Sequence, residues 1–204
     1  LCVIDISDPE NPDEIGAFRG QLIINDVCVS GGFAYLADLI VGLRVIDISD
    51  PENPEQVGVF QTPDVAQGVC VVGDYAYVAD RRSGLFSINI ANPEDPQEAD
   101  SYNSPGEASD VFVVDELAYV ADGESGIHIL TVRDPNRIFR RGTYDTPGLA
   151  TRVVVANNLA FVADGVSGMQ LINVSDSREP NLAGVFNTPG NCYGVCSTES
   201  YTYV

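Results

Sequence analysis

Short apolar runs alternate with turn residues along the whole chain. In the stretch from 26 to 61 the runs fall at 26–30, 33–37, 43–49 and 56–61, and each is rich in β-branched or aromatic residues. Gly, Pro, Asn or Asp bound every run, which is typical of strands and turns. No window carries the apolar stripe of an amphipathic helix. The pattern therefore predicts four short strands in this stretch.

The same pattern returns every 42 residues. Tyr-Leu-Ala-Asp at 35–38 has copies at 77–80, 119–122 and 161–164, and it begins again at 203–204. Four antiparallel strands in a repeat of about 40 residues are typical of a propeller blade. We therefore predict an all-β fold: a five-bladed β-propeller of four-stranded antiparallel blades.

The length of the chain predicts where this ring closes. Five repeats need six positions more than the 204 residues present, and the six correspond to 37–42, the loop between the second and third strands. We predict one domain, 1–204, with blades at approximately 22–62, 64–104, 106–146 and 148–188, and a fifth formed by 190–204 together with 1–20. The N- and C-terminal strands would then share one blade and close the ring. The alternative is an excerpt from a larger propeller or a longer array.

Charge narrows the class of partner. The formal net charge is −20, from 30 acidic and 10 basic residues, and every basic residue is Arg. Such a surface repels nucleic acid and anionic lipid, and no apolar stretch reaches the length of a membrane helix. We therefore expect a protein or a small polar ligand as partner, with no nucleic acid and no membrane insertion.

Two motifs carry a family resemblance. Gly-Leu-Arg-Val-Ile-Asp-Ile-Ser-Asp-Pro at 42–51 and Ala-Tyr-Val-Ala-Asp at 76–80 resemble the LVIVD-repeat β-propellers, and related runs recur in every unit. The resemblance implies a propeller that binds other molecules, located outside the cell or at its surface. It brings no shared catalytic residues.

A repeat protein allows each position to be compared with its own copies. Unlike polar groups occupy like positions at the channel end of the first strands, where propellers commonly bind small ligands. The alternative is a hydrated plug that satisfies the strand ends. The predicted ligand site at this channel mouth comprises Asn25, Asp26, Gln67, Ser109, Asp110, Thr151, Arg152 and Tyr193.

Two further places differ between copies. Apolar residues beside arginines are typical of protein contacts, and the loops between second and third strands carry Leu39, Ile40, Val41, Arg81 and Arg82, on the same face as the channel mouth. The outer strand of the third blade is basic, with Arg137, Phe139, Arg140 and Arg141. That strand would either dock another copy or protect a sheet edge from pairing, so self-association is a third prediction.

Signals of catalysis are few. The chain has one histidine, His128, and lacks a Gly-rich phosphate loop or a His/Cys cluster, so we expect no metal and no cofactor. The aspartates at 38, 80, 122 and 164 recur in every complete unit, and we predict that they hold the following turn. The leading hypothesis is a non-enzymatic binding scaffold that uses the channel-mouth face. The alternatives are a glycoside hydrolase with Asp26 and Asp110 in the channel near Glu107, and a structural tile of a surface assembly.

Overall fold

A computed structural model describes residues 1–20, 22–198 and 201–204, and these residues form strands and turns without a helix. The strands follow in chain order as an N-terminal hairpin, four blades and a C-terminal hairpin: β1 (Cys2–Asp5) and β2 (Asp13–Ala17); β3 (Ile24–Ser30), β4 (Phe33–Asp38), β5 (Gly42–Asp47) and β6 (Glu55–Phe60); β7 (Gly68–Val72), β8 (Tyr75–Ala79), β9 (Leu85–Asn89) and β10 (Gln97–Tyr102); β11 (Asp110–Val114), β12 (Leu117–Ala121), β13 (Ile127–Thr131) and β14 (Phe139–Tyr144); β15 (Arg152–Ala156), β16 (Leu159–Ala163), β17 (Met169–Asn173) and β18 (Asn181–Phe186); β19 (Cys196–Ser197) and β20 (Thr202–Tyr203).

Each of the four blades is one antiparallel sheet whose strands pair in sequence order. Two-residue turns join the first and second strands, and in blades 3 and 4 these turns place Asp115-Glu116 and Asn157-Asn158 at positive φ. Positive φ at both central residues is the backbone of a type I′ turn, which matches the right-handed twist of the strands. The prediction of an all-β propeller of four-stranded antiparallel blades is confirmed.

The core lies between neighbouring blades. Tyr35, Leu43 and Val45 of blade 1 pack against Val69 and Val78 of blade 2. Equivalent residues form the clusters between blades 2 and 3 and between blades 3 and 4. The middle strands are therefore buried on both faces, which explains why they read as apolar throughout instead of alternating.

Each chain terminus forms a two-stranded hairpin at the place of the predicted fifth blade. The hairpin β1–β2 packs on blade 1, where Leu1 and Phe18 contact the cluster that contains Leu36 and Ile46. The hairpin β19–β20 follows blade 4, and Val195 packs in a cluster with residues of that blade. Among the described residues, the two hairpins form separate two-stranded sheets. The inner face of β3 is consequently open.

The recurring aspartates are fully buried and hold loops, but their partners differ from the prediction in three of four blades. Asp38 accepts bonds from Ile40 N (2.8 Å) and Val41 N (3.3 Å) across the following turn. Asp80 instead accepts the hydroxyl of Thr62 (2.6 Å) and the N–H of Asp64 (2.9 Å), which precede its blade. Asp122 and Asp164 repeat that arrangement. Asp80, Asp122 and Asp164 therefore fix the loop through which the chain enters their blade, whereas Asp38 holds the turn that follows it.

Candidate functional site

One end of the molecule brings together the loops between second and third strands and the segments that enter the next blade. We call this end the loop face. Backbone bridges join Arg81 to Ala108, Gly123 to Ala150, and Gly165 to Cys192. Each bridged partner immediately precedes a channel-mouth position of the next blade. The predicted loop residues and channel-mouth residues therefore lie side by side.

An ionic cluster crosses the channel at the starts of the first strands. Arg152 Nη2 lies 3.3 Å from Asp26 Oδ1, and its Nε lies 3.9 Å from Asp110 Oδ2. Asp26 Oδ2 also accepts the N–H of Val69 (3.0 Å), and Asp110 Oδ2 accepts the N–H of Val153 (2.9 Å). Each aspartate thus ties its own first strand to that of the next blade, and Arg152 links blade 4 to blade 1.

Burial changes the pKa of one carboxyl group in this cluster. Desolvation raises the pKa of Asp110 to about 6, against the opposing effect of Arg152 and the Val153 N–H. A glycosidase of the predicted kind needs two carboxylates that reach a sugar. Here both carboxylates hold backbone N–H groups, and an arginine contacts each of them. This geometry is that of a clasp between inner strands.

The other predicted channel-mouth residues divide into two groups. Asn25 donates to Ala66 O (2.8 Å), Ser109 donates to Glu107 O (3.1 Å), and Thr151 donates to Tyr193 O (3.2 Å). These bonds satisfy backbone carbonyls at strand ends, as the plug alternative expects. Gln67 is half-buried, whereas the Tyr193 ring is exposed and its hydroxyl accepts a bond from Asn191 (2.7 Å). Tyr193 is the channel-mouth residue best placed to meet a ligand.

The loop arginines converge on one carboxylate. Glu107 lies 3.1 Å from Arg81 Nε and 3.0 Å from Arg82 Nε, and the bonds from Arg82 and Arg81 lower its pKa. Beside this triad runs a groove of about 760 Å³, also lined by Glu124 and Leu149. The sequence grouped the two arginines by their place in one loop. It did not predict that Glu107, of the next blade, holds both.

Exposed apolar side chains surround the groove and the channel mouth. Leu39 and Ile40 are exposed as predicted, with Ile40 at 54%, while Val41 is half-buried. Leu149 is also exposed, and Val166 is 84% exposed. Sequence comparison missed these two, because Val166 sits in a loop that otherwise reads as small and polar. Position 149 gave no signal, because two of its copies, Ile23 and Val65, are apolar as well.

The predicted basic residues of the third blade lie apart from the loop face. Phe139, Arg140 and Arg141 belong to the outer strand β14, and Arg137 precedes it. The Arg137 guanidinium lies 6.0 Å from the centroid of the Phe139 ring, within reach of a cation–π contact. The structure therefore groups the four residues at the rim of blade 3.

The single histidine lies in the core. His128 Nε2 is 3.4 Å from Asp122 Oδ2, and burial lowers the pKa of His128. Ser104 donates its hydroxyl to Asp122 and not to the histidine, so the trio lacks the nucleophile–base contact of a catalytic triad. The described residues contain no group of three or more His, Cys, Asp or Glu side chains arranged to hold a metal ion. They also form no helix of the length and apolarity needed to cross a membrane.

Comparison with known proteins identifies one family and several solved structures of similar fold. The LVIVD repeat matches residues 1–19, 24–62, 64–104, 105–146 and 147–188. No curated protein matches the chain. Among solved structures, a functionally unknown protein from Desulfotomaculum acetoxidans DSM 771 is similar with a TM-score of 0.76 and 17% identity, over 94% of this chain and 66% of that one.

Two computationally designed proteins share the fold. Ika8 is similar with a TM-score of 0.71 and 5% identity over 86% of this chain. The chain spans only 53% of the Ika8 length, so it corresponds to about half of that structure. Ika4 is similar with a TM-score of 0.65 and 10% identity, over 78% of this chain and 96% of that one.

Proposed function

Because the chain belongs to the LVIVD-repeat family, we propose that it is a non-enzymatic binding scaffold that holds a protein or a small polar ligand on its loop face. A location outside the cell or at its surface is part of this proposal. The observation that carries it is the group of exposed apolar side chains on loops whose backbone is bonded to neighbouring segments: the loops of blades 2, 3 and 4 bridge to the next segment, and Leu39 N donates to Ile23 O. Apolar groups exposed together on a soluble protein mark contact sites.

The rigidity of these loops supports the proposal. Arg81 exchanges backbone bonds with Ala108, and its side chain is held by Glu107. Gly123 and Gly165 make the equivalent backbone bonds in the next two blades. A surface whose backbone is already ordered loses less conformational entropy when a partner binds. The loop face is therefore preorganised for recognition.

The test for a protein partner compares three forms of the chain. A partner found by its binding to the wild type is measured by calorimetry against Leu39→Ser/Ile40→Ser/Arg81→Ser and against Val72→Ser. Val72 is exposed to a similar extent as Ile40 but lies at the turn between β7 and β8, away from the loop face. We expect the loop variant to bind at least tenfold more weakly, because loss of one hot-spot side chain among the three costs about 2 kcal/mol or more.

The control variant shows whether an effect on binding is specific to the loop face. Val72→Ser should bind as the wild type does, and all three forms should unfold at similar temperatures. A small polar ligand at the channel mouth should instead lose affinity on Tyr193→Ala. Partner binding that is unchanged in both the loop variant and Tyr193→Ala would refute the placement of the site on this face.

A further inference from the structure

Half of the arginines lie together at the rim of blade 3. We call this group the basic strip: Arg133, Arg137, Arg140, Arg141 and Arg178. Arg178 joins the group through its neighbour Ser177, whose hydroxyl accepts a bond from Arg141 Nε (3.2 Å). All five arginines are solvent-exposed. The strip is a concentrated positive charge on a chain of net charge −20.

Ion pairing separates the strip from the other arginines. Outside it, each arginine has a carboxylate partner: Glu14 for Arg19, Asp38 for Arg44, Glu107 for Arg81 and Arg82, and Asp26 for Arg152. Within it, only Arg133 has such a partner, Glu116 at 3.6 Å. The described residues place no carboxylate in ion-pair contact with the remaining four. In a chain with thirty acidic residues, this unpaired cluster marks a surface whose partner is another molecule.

Comparison with the other units shows that the positive charge is local. Arg140 corresponds to Glu98 in blade 2 and to Glu14 in the N-terminal hairpin. Phe139 corresponds to Glu55 in blade 1 and to Asp13 in the hairpin. The other copies of these two positions are Gln56 and Leu182, and Gln97 and Asn181, so neither position is basic outside blade 3. A rim of this chain thus offers both signs of charge at equivalent places.

The N-terminal hairpin complements the strip in apolar surface as well as in charge. It exposes five carboxylates, and Glu14 among them pairs with Arg19: Asp5, Asp8, Glu10, Asp13 and Glu14. Ile15 of β2 is exposed beside them. Ile4 and Ile6 are also exposed, but they repeat positions that are buried between the complete blades. The strip exposes Phe139 at 50%. The outer strands of blades 1 and 2, β6 and β10, also carry acidic residues. They expose less apolar surface than the hairpin, because Val59 is the one large apolar residue exposed in them.

We propose that the basic strip of one copy binds the N-terminal hairpin of a second copy. The two surfaces lie on different blades, so the contact is heterologous and joins copies head to tail, which produces rings or open chains. Net repulsion between copies is screened over about 8 Å at physiological salt. Charges that meet in the contact are closer than that, and burial of Phe139 against Ile15 adds an apolar contribution.

Charge reversal on each surface tests the proposal. Sedimentation velocity over a concentration series measures association of the wild type, of Arg140→Glu/Arg141→Glu and of Asp13→Arg/Glu14→Arg. We expect the wild type to associate and each variant alone to associate at least tenfold more weakly. An equimolar mixture of the two variants should restore association, because the reversed strip of one then meets the reversed hairpin of the other.

A control with a similar change in charge isolates the location. Val72→Glu/Asn157→Asp/Asn158→Asp adds three negative charges at exposed turns away from the strip and the hairpin, so it should associate as the wild type does. A wild type that stays monomeric at every concentration would overturn the proposal. So would strip and control variants that behave alike, or a mixture that fails to associate. Circular dichroism of each variant checks that the fold is intact.

Discussion

Substitution by alanine should destabilise the protein at three of four equivalent glycines of the outer strands and change its stability little at the fourth. A Cβ built on Gly58 would lie 2.0 Å from the carbonyl oxygen of Pro93, in the turn of the next blade. Gly16 and Gly142 face the same kind of turn, with carbonyl oxygens at 2.0 and 2.2 Å. Gly184 is the copy next to the fifth unit, and among the residues that the structure describes no atom lies within 4 Å of its Cβ position.

The magnitude follows from the distance that must be recovered. Ordinary contacts of a Cβ begin at 3.4 Å, so Gly58→Ala requires backbone of blade 1 and blade 2 to separate by more than 1 Å. Overpacking costs about 1–3 kcal/mol, and a backbone oxygen cannot rotate away, so we expect about 3 kcal/mol. In a domain of this size that loss lowers Tm by about 6–12 °C. Gly184→Ala should change stability by less than about 1 kcal/mol, with a small gain from the stiffer unfolded chain.

Urea unfolding followed by circular dichroism measures both variants, with calorimetry for Tm. The pair is matched because both glycines lie in fourth strands, and neither has a positive φ that would itself oppose alanine. Equal losses in Gly58→Ala and Gly184→Ala would refute the reasoning. That result would mean that the outer strand of blade 4 is covered as tightly as that of blade 1.

Three further predictions concern buried and exposed groups. The pKa of Asp110 is raised to about 6 from 3.8, so the folded state binds the proton more tightly than the unfolded state. The wild type should therefore lose stability relative to Asp110→Asn as pH rises from 4 to 6, by up to about 3 kcal/mol; parallel pH profiles in chemical unfolding would contradict this. Thr146→Ala removes a 2.6 Å hydrogen bond to a buried carboxylate and should cost about 1.5–3 kcal/mol, whereas exposed Thr143→Ala should cost little in the same unfolding assay. Of the five thiols, the exposed Cys2 and Cys196 should react rapidly with a disulfide reagent, and the three less exposed thiols should react slowly. Rapid reaction of all five in the folded protein would contradict this prediction.

The fold could be predicted from the sequence because the residues that form the interface between blades recur in each repeat. A strand that reads as apolar on both faces in four copies must be packed between two others, and the turn residues fix its ends. The bonding of Asp80 to Thr62 was not predicted, because the sequence gives no reason to favour the preceding loop over the following one. That choice depends on how the entering loop crosses the blade, which is a property of the packed sheet.

The site was predicted only in part, for the same physical reason. Arg152 and Asp26 are 126 positions apart and meet because the row of blades curves back on itself. Glu107 holds Arg81 because a loop bridges to the next blade. Periodicity identifies the positions that differ between copies. It does not identify which side chains these positions will meet, because blade packing and curvature decide that.

Difference between copies is therefore a weaker guide to function than difference combined with exposure. Asp26 and Asp110 stand where three other copies have Gly68, Arg152 and Gly194, yet their carboxylates hold the N–H groups of neighbouring inner strands. Ile40 and Val166 stand where two other copies have Arg82 and Glu124, and they extend into solvent from loops that bonds to neighbouring segments fix. A buried side chain that differs between copies stabilises one particular interface of the ring. An exposed apolar side chain that differs between copies lowers solubility and makes no compensating contact inside the chain. If the proposed binding function holds, we therefore expect a partner to contact the loop tips rather than the channel.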